Sequence, residues 1–213
     1  MSLVAFDFDG TLSDSEMTVL LGERCGVAAE MERITERAMN DEIEYATSLR
    51  ERCALLEGLS NDEALSAFNE VVLRPGAAEL LRKLNQGGVH TAVLTGGFER
   101  GVEAALRSAD ATVDDIVANR LPVADGALTG AVEGPLIEGT KDDALTNLAA
   151  TQNVAMAETV AVGDGANDLP MLEVAGLAVG FRPKPTVEPA CDVVVETMAA
   201  LADVLGDRGV LLA

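Results

Sequence analysis

Three short apolar runs in this chain each end in a cluster of small, hydroxyl-bearing or acidic residues, and that arrangement constrains the fold more than any other feature. Residues 3–8 form a short, largely apolar run with two aromatics, and its end carries Asp7-Phe8-Asp9-Gly10-Thr11. Val89–Leu94 leads into Thr95-Gly96-Gly97, and Thr159–Val162 leads into Gly163-Asp164-Gly165-Ala166-Asn167-Asp168. A run of four to six apolar residues reads as a buried strand. Between these runs lie helical stretches, so from Pro75-Gly76 onward strands and helices alternate. The pattern places helices at 77–86, 98–108, 140–151, 167–174 and 198–205, with further strands at 177–180 and 192–195. Gly87-Gly88 stops the first of these helices. Alternation of this kind builds an α/β fold: a parallel sheet with helices on both faces.

Two segments break the rhythm. Residues 14–74 carry charges at helical spacing and no β-branched run, and Ser60-Asn61-Asp62-Glu63 reads as a helix start. This stretch is expected to be a small helical domain inserted after the first strand, leaving 1–13 and 75–213 as the core. The second is Leu121–Gly130, where Asp125-Gly126 between two strand-like arms predicts a hairpin.

Composition narrows the class of function. Of the 213 residues, 36 are acidic and 15 basic, a formal charge of −21. Such a field repels nucleic acid and anionic membranes, so neither is expected as a partner. A phosphate substrate would need a local site that overrides the global field. The basic residues are 3 Lys and 12 Arg, and an acidic, lysine-poor surface suits a protein working in concentrated salt. Cys25, Cys53 and Cys191 form no C-x-x-C pair and read as reduced thiols of a cytoplasmic protein. The single histidine, His90, opens a strand and reads as structural. The first residues lack a basic segment of the kind a signal peptide carries, and no apolar run approaches the ~18 residues of a membrane span.

The strand-end clusters carry the chemistry. Ligands of open α/β sheets bind beyond the carboxyl ends of the strands. Asp7 and Asp9 supply two carboxylates there: one to attack phosphorus, the other to protonate a leaving alkoxide and then deprotonate water. A hard cation such as Mg²⁺ takes carboxylate and carbonyl oxygens, here Asp7, the Asp9 carbonyl and Asp164. Asp168 would bind it directly or through water. Lys141, in the first turn of its helix, brings positive charge to a transferring phosphoryl group. Thr95 can hydrogen-bond its oxygens, and Gly96 and Gly97 let backbone N–H groups come close.

Taken together, Asp7-x-Asp9-Gly10-Thr11, then Thr95, then Lys141, then Gly163-Asp164 and Asp168 resemble the haloacid dehalogenase superfamily of phosphohydrolases. The resemblance implies a Rossmann-like core with an inserted helical cap, Mg²⁺ as cofactor and an aspartyl-phosphate intermediate on Asp7. Nearly the whole chain is similar to the phosphoserine phosphatase branch. That similarity assigns Glu16 to the amino group and Arg52 to the carboxylate of serine, in an amino-acid biosynthetic step. It assigns Met39 and Tyr45 to the apolar side of the pocket and Gly96, Gly97 and Asn167 to the substrate site. Gly10 and Thr95 stand where that branch often has Ser, and Tyr45 where it often has Phe. These departures leave open another small phosphate ester, such as phosphoglycolate. A phospho-accepting signalling domain is disfavoured by Asp9, which would hasten loss of the phosphoryl group. Oligomeric state is not legible.

Overall fold

The computed structural model describes residues 2–39 and 42–211, without the side chain of Met39. The chain begins with β1 (Leu3–Phe6), followed by α1 (Met17–Cys25), α2 (Ala28–Met39), α3 (Tyr45–Ala54) and α4 (Asn61–Phe68). It returns through α5 (Ala77–Gln86) to β2 (His90–Phe98), α6 (Glu99–Ser108) and β3 (Asp115–Asn119). A small pair, β4 (Val123–Ala124) and β5 (Ala127–Leu128), precedes α7 (Lys141–Gln152) and β6 (Thr159–Gly163). The order then runs α8 (Leu169–Val174), β7 (Leu177–Phe181), β8 (Val193–Val195) and α9 (Met198–Asp207).

Six strands form one parallel sheet in the order β3-β2-β1-β6-β7-β8. From β1 the chain first moves outward on one side, to β2 and β3, and later on the other, to β6, β7 and β8. The reversal therefore lies between β1 and β6, where the crevice of an open α/β sheet forms. Asp7 leaves β1 at that point, and its backbone N–H donates to the Val162 carbonyl at 2.8 Å.

Strand geometry sends successive side chains to opposite faces. In β1, Val4 and Phe6 enter one apolar cluster while Leu3 and Ala5 enter another. All four are fully buried. The second cluster is closed by α7 and α8 through Leu145, Ala149, Met171 and Leu172. The first is closed by α5, α6 and α9, and it also contains Met17, Leu21, Met31, Leu49, Leu56 and Phe68 from the segment spanning α1–α4. The inserted helices thus share a core with the sheet. Phe68 meets Phe98 edge to face, with ring centroids 6.3 Å apart.

Local signals explain most of the boundaries. Ser60 caps α4, its hydroxyl accepting from the Glu63 N–H. At the hairpin turn Asp125 and Gly126 both have positive φ, as a two-residue turn between right-twisted arms demands. The hairpin pairs with the inserted segment: Leu128 N–H donates to the Leu59 carbonyl and Asn61 N–H to the Gly126 carbonyl, each at 2.8 Å.

Several expectations needed revision. The strand expected to end at Leu94 continues to Phe98, with a register shift between those residues, and α6 begins one residue later than expected. A bulge accounts for this, since the Thr95 hydroxyl accepts the Gly97 N–H and takes that donor from the ladder. The edge strand β3 and the helix α1 had no separate place in the sequence reading, because Asp115–Asn119 is short and half polar and α1 lies in one charged stretch. His90 sits at the amino end of β2, opposite Leu3, with Nε2 2.6 Å from an Asp115 carboxylate oxygen.

Because α1–α4 and the sheet share one core, Phe68→Ala is expected to cost about 3–5 kcal/mol, the usual loss for deleting a buried aromatic ring. Urea unfolding followed by circular dichroism should show one transition moved to lower denaturant. Two transitions, with the larger unmoved, would show that the helices unfold independently.

Candidate active site

The Lys141 ammonium lies between two carboxylates at the carboxyl edge of the sheet. Its Nζ donates to Asp7 Oδ1 at 2.5 Å and to Asp168 Oδ1 at 2.6 Å. All three side chains are buried. Burial alone would lower the lysine pKa, but Asp168 and Asp7 outweigh it and hold the ammonium above its ordinary range. Asp7 moves upward too: burial is the largest cause and Asp168 adds to it, against the pull of Lys141.

Asp168 is held on both oxygens. Besides Lys141 on Oδ1, its Oδ2 accepts the N–H groups of Asp164 and Gly165, each at 2.9 Å. That grip folds the loop after β6 so that Asp164 turns toward β1. There Asp164 Oδ1 accepts the Thr11 hydroxyl at 3.3 Å, and Lys184 Nζ approaches Oδ2 at 3.7 Å. Gly10 makes this approach possible. It has a positive φ, and a Cβ there would run into the Asp164 carboxylate. Burial, then Asp168, pushes the Asp164 pKa up.

Asp9 leans over Gly97, where a Cβ would stand 2.7 Å from its Oδ2 and 3.1 Å from Thr95 Oγ1. Its Oδ1 is buried with no hydrogen-bond partner among the described residues. Burial, then Glu16, then Asp7 raise its pKa well above the usual carboxylate range. Asp9 is therefore suited to carry a proton at neutral pH. The N–H of Gly97, expected to face a phosphate, already donates to Thr95 Oγ1 at 2.9 Å. That bond leaves the buried Thr95 hydroxyl with its own proton to give.

Ligand atoms of Asp7, Asp164 and Asp168 lie within 4.8 Å of one another. With Asp9, four carboxyls meet one buried ammonium, an excess of negative charge on oxygen donors. A hard divalent cation fits that set.

The remaining expected residues sit around this centre. Glu16, exposed just before α1, is near enough to raise both Asp9 and Asp164. Arg52 is half-buried on α3 and acts on the Tyr45 phenol. Neither Glu16 nor Arg52 forms an ion pair among the described residues. The Tyr45 hydroxyl rests on Gly96. Asn167 is exposed, with its Nδ2 3.5 Å from Asp168 Oδ1. Met39 ends α2, and its side chain lies outside the described part of the chain.

Two positioning contacts escaped the sequence reading. The fully buried Asn119 donates from Nδ2 to the Gly96 carbonyl at 3.0 Å, and its Oδ1 accepts the Leu136 N–H at 3.1 Å. It ties the Thr95–Gly97 loop to the segment entering α7. Arg74 Nη2 donates to the Gly10 carbonyl at 3.1 Å. Arg74 adjoins Pro75-Gly76 and Asn119 lies just before the Leu121–Gly130 hairpin segment, but a contact across 23 or 64 residues has no local signature.

Residues 4–173 match the profile of the haloacid dehalogenase-like hydrolases. The chain is 54% identical to a phosphoserine phosphatase of Halobacterium salinarum, over 99% of this chain and 100% of the relative. It is 36% identical to a phosphoserine phosphatase of Methanocaldococcus jannaschii, over 91% and 92%. Among solved structures, a substrate-bound phosphoserine phosphatase complex superposes with TM-score 0.87 at 34% identity, covering 97% of each chain. A phospho-aspartyl intermediate analogue of phosphoserine phosphatase gives 0.84 at 36%, covering 92% of this chain and 93% of the other. With the strand-end carboxylates and Lys141 in place, the chain belongs to the haloacid dehalogenase-like hydrolase family.

Proposed function

We propose that this chain is a Mg²⁺-dependent phosphatase that hydrolyses O-phosphoserine to serine and phosphate through an aspartyl-phosphate on Asp7. The observation that carries the reaction class is the gathering of Asp7, Asp164 and Asp168 at the carboxyl edge of the sheet, with Lys141 between Asp7 and Asp168 and the buried Asp9 close to Asp7. Similarity over the full length to phosphoserine phosphatases supports the substrate.

In the first half-reaction the Asp7 carboxylate attacks phosphorus in line, and the bond from phosphorus to the serine oxygen breaks. Asp9, kept protonated by burial and by Glu16, gives its proton to that oxygen. Lys141, gripped by Asp168, holds Asp7 in position and offsets part of the charge gathering on the phosphoryl oxygens. Thr95 donates its hydroxyl to one of them. In the second half-reaction Asp9, now a carboxylate, takes a proton from water as its oxygen attacks phosphorus. The bond to Asp7 breaks and phosphate leaves. Asp7, Asp164 and the Asp9 carbonyl would hold Mg²⁺, with Asp168 holding the loop behind it. Bound there, a divalent cation would supply charge neutralisation to the phosphoryl group.

Recognition of serine follows from charge. A zwitterion needs one anion and one cation, and Glu16 and Arg52 are charges at the site's border without ionic partners among the described residues. Residues 14–74 would act as a cap over the core formed by 1–13 and 75–213, closing out water as it delivers Arg52. The product would make this a serine-forming step. The charge of −21 further suggests activity in concentrated salt.

Asp7→Asn should abolish phosphate release and leave no protein-bound phosphate after a rapid acid quench. EDTA should silence the wild-type protein and added Mg²⁺ restore it; unchanged turnover in EDTA would remove the cation from the reaction. Glu16→Ala and Arg52→Ala should each lower kcat/KM for phosphoserine about a hundredfold, the scale of losing one charge-assisted hydrogen bond. Their turnover of p-nitrophenyl phosphate should change little, and equal reductions on both substrates would remove the serine assignment. Activity and melting temperature should both rise with KCl up to molar concentrations; full activity after desalting would argue against salt adaptation.

A further inference from the structure

Tyr45 is the first residue of α3, and its side chain reaches across to the strand-end loop of the sheet. The hydroxyl oxygen occupies the space above Gly96, where a Cβ would collide with it and would lie 3.2 Å from Cζ. Gly96 is thus the seat that lets the phenol down onto the loop. The ring is partly open to solvent, with the residue 41% exposed. Its hydroxyl end is nevertheless surrounded by the site's charges: Arg52, Lys141, Asp7 and Asp9 all act on it. No hydrogen bond satisfies the hydroxyl among the described residues. Burial pushes its pKa up, so it keeps its proton at neutral pH.

A neutral O–H aimed at a phosphatase centre, with no partner among the described residues, is a donor waiting for an acceptor. Carboxylate acceptors are near, but Asp7 already takes Lys141, and Asp9 lies over Gly97 rather than Gly96. The acceptor that would arrive beside Gly96, Thr95 and Lys141 together is the substrate's phosphoryl group.

Resting on the phosphatase reading above, we propose that the Tyr45 hydroxyl is a hydrogen-bond donor to the transferring phosphoryl group, delivered by α3 onto the Gly96 seat. Tyr45 and Arg52 are seven residues apart on one helix, two turns, and so face the same way. A single rigid helix then presents a donor for the phosphate and a guanidinium for the carboxylate. Closing α3 over a substrate is registered at both ends of the molecule at once. A phenylalanine at this position would line the pocket but leave the phosphate end without that donor.

The test is Tyr45→Phe, which removes one atom from a partly exposed residue. Inhibition by inorganic phosphate and by serine is measured separately, with phosphoserine and p-nitrophenyl phosphate as substrates in Mg²⁺. The expected result is a ten- to hundredfold weaker inhibition by phosphate, the span for losing a hydrogen bond to a charged group. The kcat should fall on both substrates, while inhibition by serine stays within twofold. Phosphate inhibition equal to wild type would overturn the proposal, as would a change confined to serine, which would reduce Tyr45 to lining for the amino acid. Gly96→Ala provides a second measurement. It should cost more activity in the wild-type background than in the Tyr45→Phe background, and equal costs would remove the seat. Because p-nitrophenyl phosphate and free phosphate lack the serine moiety, these arms remain readable if the preference for phosphoserine itself fails.

Discussion

The Lys141 ammonium, closed away from water between Asp7 and Asp168, is the interaction on which the site depends. Burying a charge is costly, and removing one partner of a buried pair typically costs about 3–5 kcal/mol because the other is left uncompensated. Each member comes from a different element: Asp7 from the end of β1, Lys141 from the start of α7, Asp168 from the loop after β6. Satisfying one ammonium therefore fixes three parts of the sheet's carboxyl edge relative to one another. The same Asp168 takes two backbone N–H groups on its other oxygen, which shapes the loop that presents Asp164. Structure and reactivity share this knot, since the cation that offsets burial also lies where phosphoryl charge would gather.

Around the knot the inserted helices are anchored by their apolar faces and by backbone pairing. Their apolar faces merge with the core on one side of the sheet, and the β4–β5 hairpin pairs with the segment joining α3 to α4. The two connecting segments are tied to each other, with the Arg74 backbone N–H donating to the Leu12 carbonyl and the Ser13 hydroxyl to the Val72 carbonyl, both at 2.8 Å. At the surface α3 adds one ion pair, Arg50 to Glu138 at 2.6 Å, both more than half exposed. Exposed pairs of this kind contribute little, typically below about 1 kcal/mol. The buried side of α3, with Ala46, Leu49 and Cys53, joins the main core, while Tyr45 at its start stays partly exposed.

Much of this was legible in the residues because the signals were local. Ser60 with Glu63, Asp125-Gly126 and Gly87-Gly88 each specify a start, a turn or a stop through bonds to near neighbours. The apolar runs at 3–8, 89–94 and 159–162 specify buried strands by their length alone. The bulge at Thr95–Gly97 was not legible, because a hydroxyl capturing an N–H two residues away looks no different in sequence from any other Thr-Gly-Gly. The weak strand β3 was missed for a related reason: its place at the sheet edge comes from pairing with β2, not from its own composition.

The sequence by itself determined the alternating architecture, the inserted helical stretch and the set of polar residues that end the strands, because strand length, helical spacing and turn chemistry act within a few residues. Only the tertiary structure decided how those residues divide the work. It gave both oxygens of Asp168 to Lys141 and the loop, left Asp9 without a described partner on one oxygen, and lowered the Tyr45 hydroxyl onto Gly96. Those outcomes depend on burial and on distances between elements far apart in the chain. Electrostatic free energy in a buried site is set by those two quantities, and neither is written in the order of the residues.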